Sequence, residues 1–347
     1  MNLKKYTLTC FHLFTMCLGV QTVLPQPIHR MFVILHGTLL PVPHHSGVLS
    51  WIKGDGYLNG LRFKGMYSHQ AIGVDGLHKI EDGDHVSNLY TPSAARLKKL
   101  IELQHNTAND LEQAPDETRE YFVFGWEGQL KYQSRVDGAR ALYHALTQKK
   151  AELSQNDIDV QIELWTHSHA GNVALYLAHI EEEQQKELSI SRLVMFGTPV
   201  HIETHDCVKS SMFENIFHFY SQEDTIQVCD CFTTAGWVRR TFDVKKQKNL
   251  YQLSIQIDDH HPSHYEMVFF AGSRTGLYRK KFPLHPLPCI AFAPQLIQAI
   301  EQAQQFDFGS MRLELNKNGG GRIYYASEDS AQAGAFEFTL PQNFFSH

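Results

Sequence analysis

Six short strand-like runs constrain this chain more than any other feature. They are Met31–Leu35, Tyr121–Phe124, Val160–Trp165, Leu193–Phe196, Asn215–Tyr220 and Leu250–Ile257. The first reads Met-Phe-Val-Ile-Leu without a polar residue. Such a run suits a strand buried on both faces, as in a parallel sheet. Helical periodicity fills the gaps. Pro92–Gln104 carries Ala94, Leu97 and Ile101 on one face, and Ser134–Glu152 carries Val136, Ala139, Tyr143 and Leu146. Asn172–Gln184 and Pro294–Gln304 are the other predicted helices. Strands alternating with helices predict βαβ units: an α/β domain with a mostly parallel central sheet and helices on both faces.

The boundaries follow from where that alternation starts and stops. Residues 28–308 form the predicted α/β domain. Within it, 39–91 has many glycines and scattered aromatics but no period. It is read as an irregular insertion, a lid or a substrate wall. Residues 309–347 are read as a C-terminal β-hairpin appendage, with Met311–Leu315 and Arg322–Tyr325 flanking the Asn-Gly-rich turn Asn316–Gly321.

The N-terminus opens Met-Asn-Leu-Lys-Lys, then runs uncharged from Tyr6 to Leu24 before Pro25-Gln26-Pro27. A short basic start, an apolar run and a break are the layout of a secretory signal, so 1–27 is read as a signal peptide and the protein as exported (secreted or periplasmic), with an N-terminal extension of a cytoplasmic protein as the alternative. Four cysteines lie beyond it, Cys207, Cys229, Cys231 and Cys289. In an oxidising compartment they could form two disulfides of unassigned connectivity. The chain has 347 residues, with 31 Lys plus Arg against 37 Asp plus Glu, a net charge of −6. Without a basic block it makes a poor nucleic-acid binder. Its 21 histidines raise the question of zinc, through His201-x-x-x-His205-x-Cys207 or His44-His45. Neither supplies the tight paired spacing of a zinc site, so no metal or cofactor is expected.

In open α/β sheets, sites form beyond the carboxyl ends of strands. Ser168 lies there, in Thr166-His167-Ser168-His169-Ala170-Gly171, between a buried strand and a helix. A nucleophile elbow needs small neighbours, because the serine takes a strained backbone angle and bulk would strike the adjacent strand and helix. Thr166, Ala170 and Gly171 supply them, with Thr166 and Ala170 standing where glycines are usual. A serine needs a base, and the base an orienting acid, in the chain order serine, acid, histidine. Asp224, just past a strand end, is the candidate acid. The base falls in His260-His261-Pro262-Ser263-His264. His264 is favoured for its reach, with His261 the alternative and His260 third. The oxyanion donors are the N–H of His169 and that of Thr38, after His36-Gly37, with Leu39 as the alternative second donor.

The ordered set Ile34-Leu35-His36-Gly37-Thr38, Thr166-His167-Ser168-His169-Ala170-Gly171-Asn172, Phe196-Gly197-Thr198-Pro199 and Tyr220-Ser221-x-x-Asp224 resembles the α/β-hydrolase superfamily. Within it the chain is similar to the lipase/esterase branch, including Phe124-Gly125-Trp126-Glu127-Gly128 followed by Arg135. The resemblance implies an α/β-hydrolase fold and a serine hydrolase acting on acyl or lipid esters, without a cofactor, in transient contact with a lipid surface. An acyltransferase on the same scaffold and a catalytically inactive binding protein are the alternatives. Oligomeric state is left open.

Overall fold

The computed structural model describes residues 27–35, 37, 76–80, 97–99, 101–102, 117–154, 158–228, 230, 233–244, 247–257, 260–268, 288–302, 308–315, 320–327 and 333–339. They form a mixed α/β structure on a ten-stranded sheet. The strands are β1 (Ile28–Leu35), β2 (Gly76–Lys79), β3 (Glu117–Gly125), β4 (Asp159–His167), β5 (Ile190–Phe196), β7 (Phe213–Tyr220), β9 (Leu250–Ile257), β10 (Phe308–Leu315), β11 (Gly320–Ser327) and β12 (Ala333–Thr339). β6 (Val200–His201) and β8 (Val238–Arg239) make a separate two-stranded ribbon. The helices are α1 (Tyr132–Leu153), α2 (Ala170–Gln184) and α3 (Ala293–Gln302), with further helical residues at 97–99 and 101–102.

The sheet order is β12-β11-β10-β9-β7-β5-β4-β1-β3-β2. From β3 through β10 all neighbouring strands run parallel. The chain leaves β1 for β3 on one side, then returns to lay β4 on the other side of β1. Leu35 at the end of β1 is in register with Thr166 near the end of β4. This reversal opens a crevice between the two strand ends, the place where ligands bind in open α/β sheets.

Strand side chains alternate between two cores. Phe32, Ile34, Tyr121, Val123, Trp165, Phe196 and Phe217 face a layer containing Leu97, Ile101 and α3. Met31, Val33, Leu35, Phe122, Leu164 and Met195 face α1 and α2. α2 is buried nearly all round, which fixes the serine turn that precedes it. Arg192 on β5 ties α3 to the sheet, holding Glu301 through two hydrogen bonds of 2.9 and 3.0 Å and the buried Glu163 at 2.9 Å.

Three expectations change. The insertion is not wholly irregular, because Gly76–Lys79 pairs antiparallel with β3. The C-terminal hairpin exists, but β12 extends it to three strands. It also continues the main sheet, because β10 lies parallel against β9. Cys207 and Cys289 are buried free thiols rather than disulfide partners. Burial pushes the Cys207 thiol up to about 12, which keeps it from ionising. Cys229, Cys231, the signal segment before Pro27 and most of 39–91 lie outside the described residues. Among the described residues, no helix is long and apolar enough to cross a membrane.

Candidate active site

Ser168 directly follows β4 and precedes α2 with φ +57°, a left-handed angle that costs a non-glycine residue about 1–3 kcal/mol. Two backbone hydrogen bonds hold it there. Its N–H donates to the Phe196 carbonyl at 2.9 Å, and its carbonyl accepts from Gly171 N–H at 3.0 Å. The small neighbours are explained by contact. A Cβ on Gly171 would fall 2.1 Å from Thr198 Oγ1, closer than any real contact. A Cβ on Gly37, just past β1, would fall 2.9 Å from Ser168 Cβ, so the loop after β1 rests directly on the turn. Thr166 is accommodated because its hydroxyl donates to the Val194 carbonyl at 3.2 Å, and Ala170 is fully buried. Gly171→Ala is expected to lower stability by about 1–3 kcal/mol through overpacking. Calorimetric unfolding checks this, and Gly171→Ala/Thr198→Ala should recover part of the loss.

Asp224 is fully buried in the turn after β7. Its two carboxylate oxygens have different partners. Oδ1 accepts from the Gln227 N–H at 3.0 Å, and Oδ2 accepts from His264 Nδ1 at 2.7 Å. Gln227 is itself pinned by its amide, which donates to the Thr198 carbonyl at 2.7 Å. A carboxylate can only accept here, so His264 carries its proton on Nδ1 and the neutral ring has its lone pair at Nε2.

His264 starts the short 3₁₀ turn His264–Met267, and Glu266 braces that loop. Glu266 Oε2 accepts the Ser263 N–H at 2.7 Å and lies 3.2 Å from His260 Nε2. The cluster therefore sorts itself. His264 meets Asp224, His260 meets Glu266, and His261 is half-buried with no partner at Nδ1. Sequence reasoning favoured His264 on loop reach, and the structure brings that residue to the acid.

Two residues join the elbow to this pair. Gly197 follows Phe196, the acceptor for Ser168, and a Cβ there would lie 2.9 Å from Asp224 Oδ2 and 3.2 Å from His264 Nδ1. The acid–histidine pair thus sits on the strand end that holds the serine backbone. His167 donates from Nε2 to the His264 carbonyl at 3.2 Å, and the two rings pack with centroids 4.5 Å apart. Neither residue was singled out from sequence, although Gly197 lies in the Gly-Thr-Pro motif and His167 next to Ser168.

His169 is not solvent-facing. Its Nε2 lies 3.2 Å from Asp230 Oδ2, which His201 Nε2 also meets at 2.6 Å. Burial pushes the His169 imidazole down to about 3, despite the opposing charge of Asp230. Burial would raise the Asp230 carboxyl, but the His201 hydrogen bond and the charge of His169 hold it below the usual range. Of the zinc spacing read from sequence, only His201 joins this group. His205 meets Asp206 and the Asp243 N–H, and Cys207 meets His179. His36, Thr38, Leu39, His44 and His45 lie outside the described residues. The sequence matches no protein-family model and no curated protein.

Proposed function

We propose that this chain is a serine hydrolase of the α/β-hydrolase fold, cleaving acyl or lipid carboxylic esters through an acyl-enzyme. One observation carries the reading. A serine stands at a left-handed strand-to-helix turn beside the strand reversal, and a buried Asp224–His264 pair rests on the neighbouring strand end. Strain of this kind is retained where the surroundings hold it, and such positions cluster at active sites.

Ser168 Oγ attacks the acyl carbonyl. His264 Nε2 takes its proton and returns it to the departing alcohol, while Asp224 fixes the tautomer and balances the imidazolium. The His169 N–H, at a helix start where no intrahelical acceptor exists, meets the developing oxyanion, with Thr38 as second donor. Water then enters by the same base and releases the acid. The ester preference follows from the resemblance to the lipase/esterase branch.

Labelling with a fluorophosphonate, followed by mass mapping, tests nucleophile and activation together. A single adduct on Ser168 is expected. A folded protein that resists labelling, or labels elsewhere, would overturn the reading. His167 acts in this scheme as a positioning residue for the base. His167→Phe keeps a ring against His264 but loses the bond to its carbonyl. It is expected to lower kcat about tenfold with little change in KM, a loss of transition-state positioning. His167→Gln, which can still donate, should recover part of the rate. Equal losses in both variants would refute the positioning role.

A further inference from the structure

We infer that His169, His201 and Asp230 form a site for one divalent transition-metal ion, zinc by the chemistry of the ligands. The three residues come from separate parts of the chain: the start of α2, the end of β6 and the loop after the 3₁₀ turn Ile226–Val228. One ligating atom from each lies within 4.8 Å of the others. Both imidazoles aim Nε2 at the same oxygen, Asp230 Oδ2, with their ring centroids 5.5 Å apart. All three are more than nine-tenths buried, at 4%, 0% and 8% exposure. Two imidazole nitrogens and one carboxylate oxygen are a zinc ligand set that leaves a fourth position for water.

The cluster buries a carboxylate whose hydrogen-bond partners, two imidazoles and a hydroxyl, carry no fixed positive charge. A buried carboxylate is costly unless paired or bound to a metal. Among the described residues no Lys or Arg is bonded to Asp230. Arg135, the nearby buried cation, donates instead to the carbonyls of Leu130 at 2.9 Å and Thr233 at 2.7 Å. The Thr233 hydroxyl holds Asp230 Oδ1, orienting Oδ2 toward the rings in the manner of an outer-shell partner. Loading replaces the two N–H···O contacts by metal–ligand bonds. Each neutral ring moves its proton from Nε2 to Nδ1, so no proton is released. With one carboxylate ligand and Arg135 close by, the ion is held more weakly than in a four-ligand structural site, and a chelator should remove it. The ion would anchor the side chain of the residue whose N–H follows Ser168.

The test uses the full-length, tag-free chain, stripped with a chelator and titrated with Co²⁺ and then Zn²⁺. One Co²⁺ per chain is expected, with the intense visible bands of a four-coordinate complex, displaced by Zn²⁺. His201→Ala and Asp230→Asn should each weaken binding by more than ~100-fold, beyond the range of outer-shell changes. His205→Ala should leave it unchanged. Absence of the bands in folded wild-type protein would overturn the site, as would undiminished binding in folded His201→Ala and Asp230→Asn. Should those variants fail to fold, X-ray absorption of the zinc-loaded wild type decides. A shell of two imidazoles with oxygen supports the assignment, and any other shell refutes it. These readouts do not depend on hydrolysis, so the inference stands or falls apart from the role of Ser168.

Discussion

Ser168→Ala is expected to lower kcat for ester hydrolysis by ~10⁴-fold or more, the scale seen when a triad nucleophile is removed. The fold should survive. Two backbone bonds, to Phe196 and from Gly171, hold the turn, and neither uses the serine hydroxyl. Alanine has the same Cβ, so the contact with Gly37 is unchanged. The left-handed φ of +57° remains to be supported, and alanine tolerates it about as poorly as serine. Melting temperature should therefore stay near wild type while fluorophosphonate labelling disappears. Steady-state hydrolysis of a short acyl ester measures the loss. Retention of most activity in the alanine variant would remove Ser168 from the mechanism.

What was legible in the sequence follows its physics. Parallel strands buried on both faces must be apolar, so β1, β3, β4, β5 and β7 declare themselves, whereas β9, Leu-Tyr-Gln-Leu-Ser-Ile-Gln-Ile, alternates apolar and polar residues. β2, read Gly-Leu-His-Lys, carries no such pattern. It forms because β3 offers it a paired edge. β12, Ala-Gly-Ala-Phe-Glu-Phe-Thr, is diluted by small residues and is held as the outermost strand of the meander. Ser168 was legible because a strained turn excludes bulky neighbours, and that exclusion shows in composition. The choice among His260, His261 and His264 turned on the loop itself. The exchange of hydrogen bonds between Ile257 and His260 turns the chain at once, and Glu266 then fixes the orientation of His264. The meeting of His169, His201 and Asp230 was invisible, because 32 and 29 positions separate consecutive members and no local spacing records such contacts. The zinc-like spacing His201, His205, Cys207 misled for the converse reason. Its members sit close in sequence but find separate partners across the surface of α2 and the β8 region.

The acid tests the triad most sharply, because Asp224→Asn changes one atom. In wild type, Oδ1 accepts the backbone N–H of Gln227 and Oδ2 accepts His264 Nδ1–H. An asparagine has only one oxygen for these two donors. The Gln227 N–H cannot change its role, so the amide oxygen stays with it and the NH₂ group turns to His264. The ring must then present a lone pair at Nδ1 and carry its proton at Nε2, the tautomer that cannot accept a proton from Ser168. Loss of ~10⁴-fold in kcat is expected with the fold intact, the magnitude known for a wrong-tautomer substitution in a serine triad. His264→Ala should cost as much or more, and Asp224→Asn/His264→Ala little beyond His264→Ala alone, because members of a triad act as a unit. His261→Ala, at a residue outside the pair, should stay within about threefold of wild type. The complete cycle is read from kcat on one ester under one set of conditions. Additive losses for Asp224 and His264 would deny that they work through each other, and a larger loss at His261 than at His264 would move the base to the other histidine.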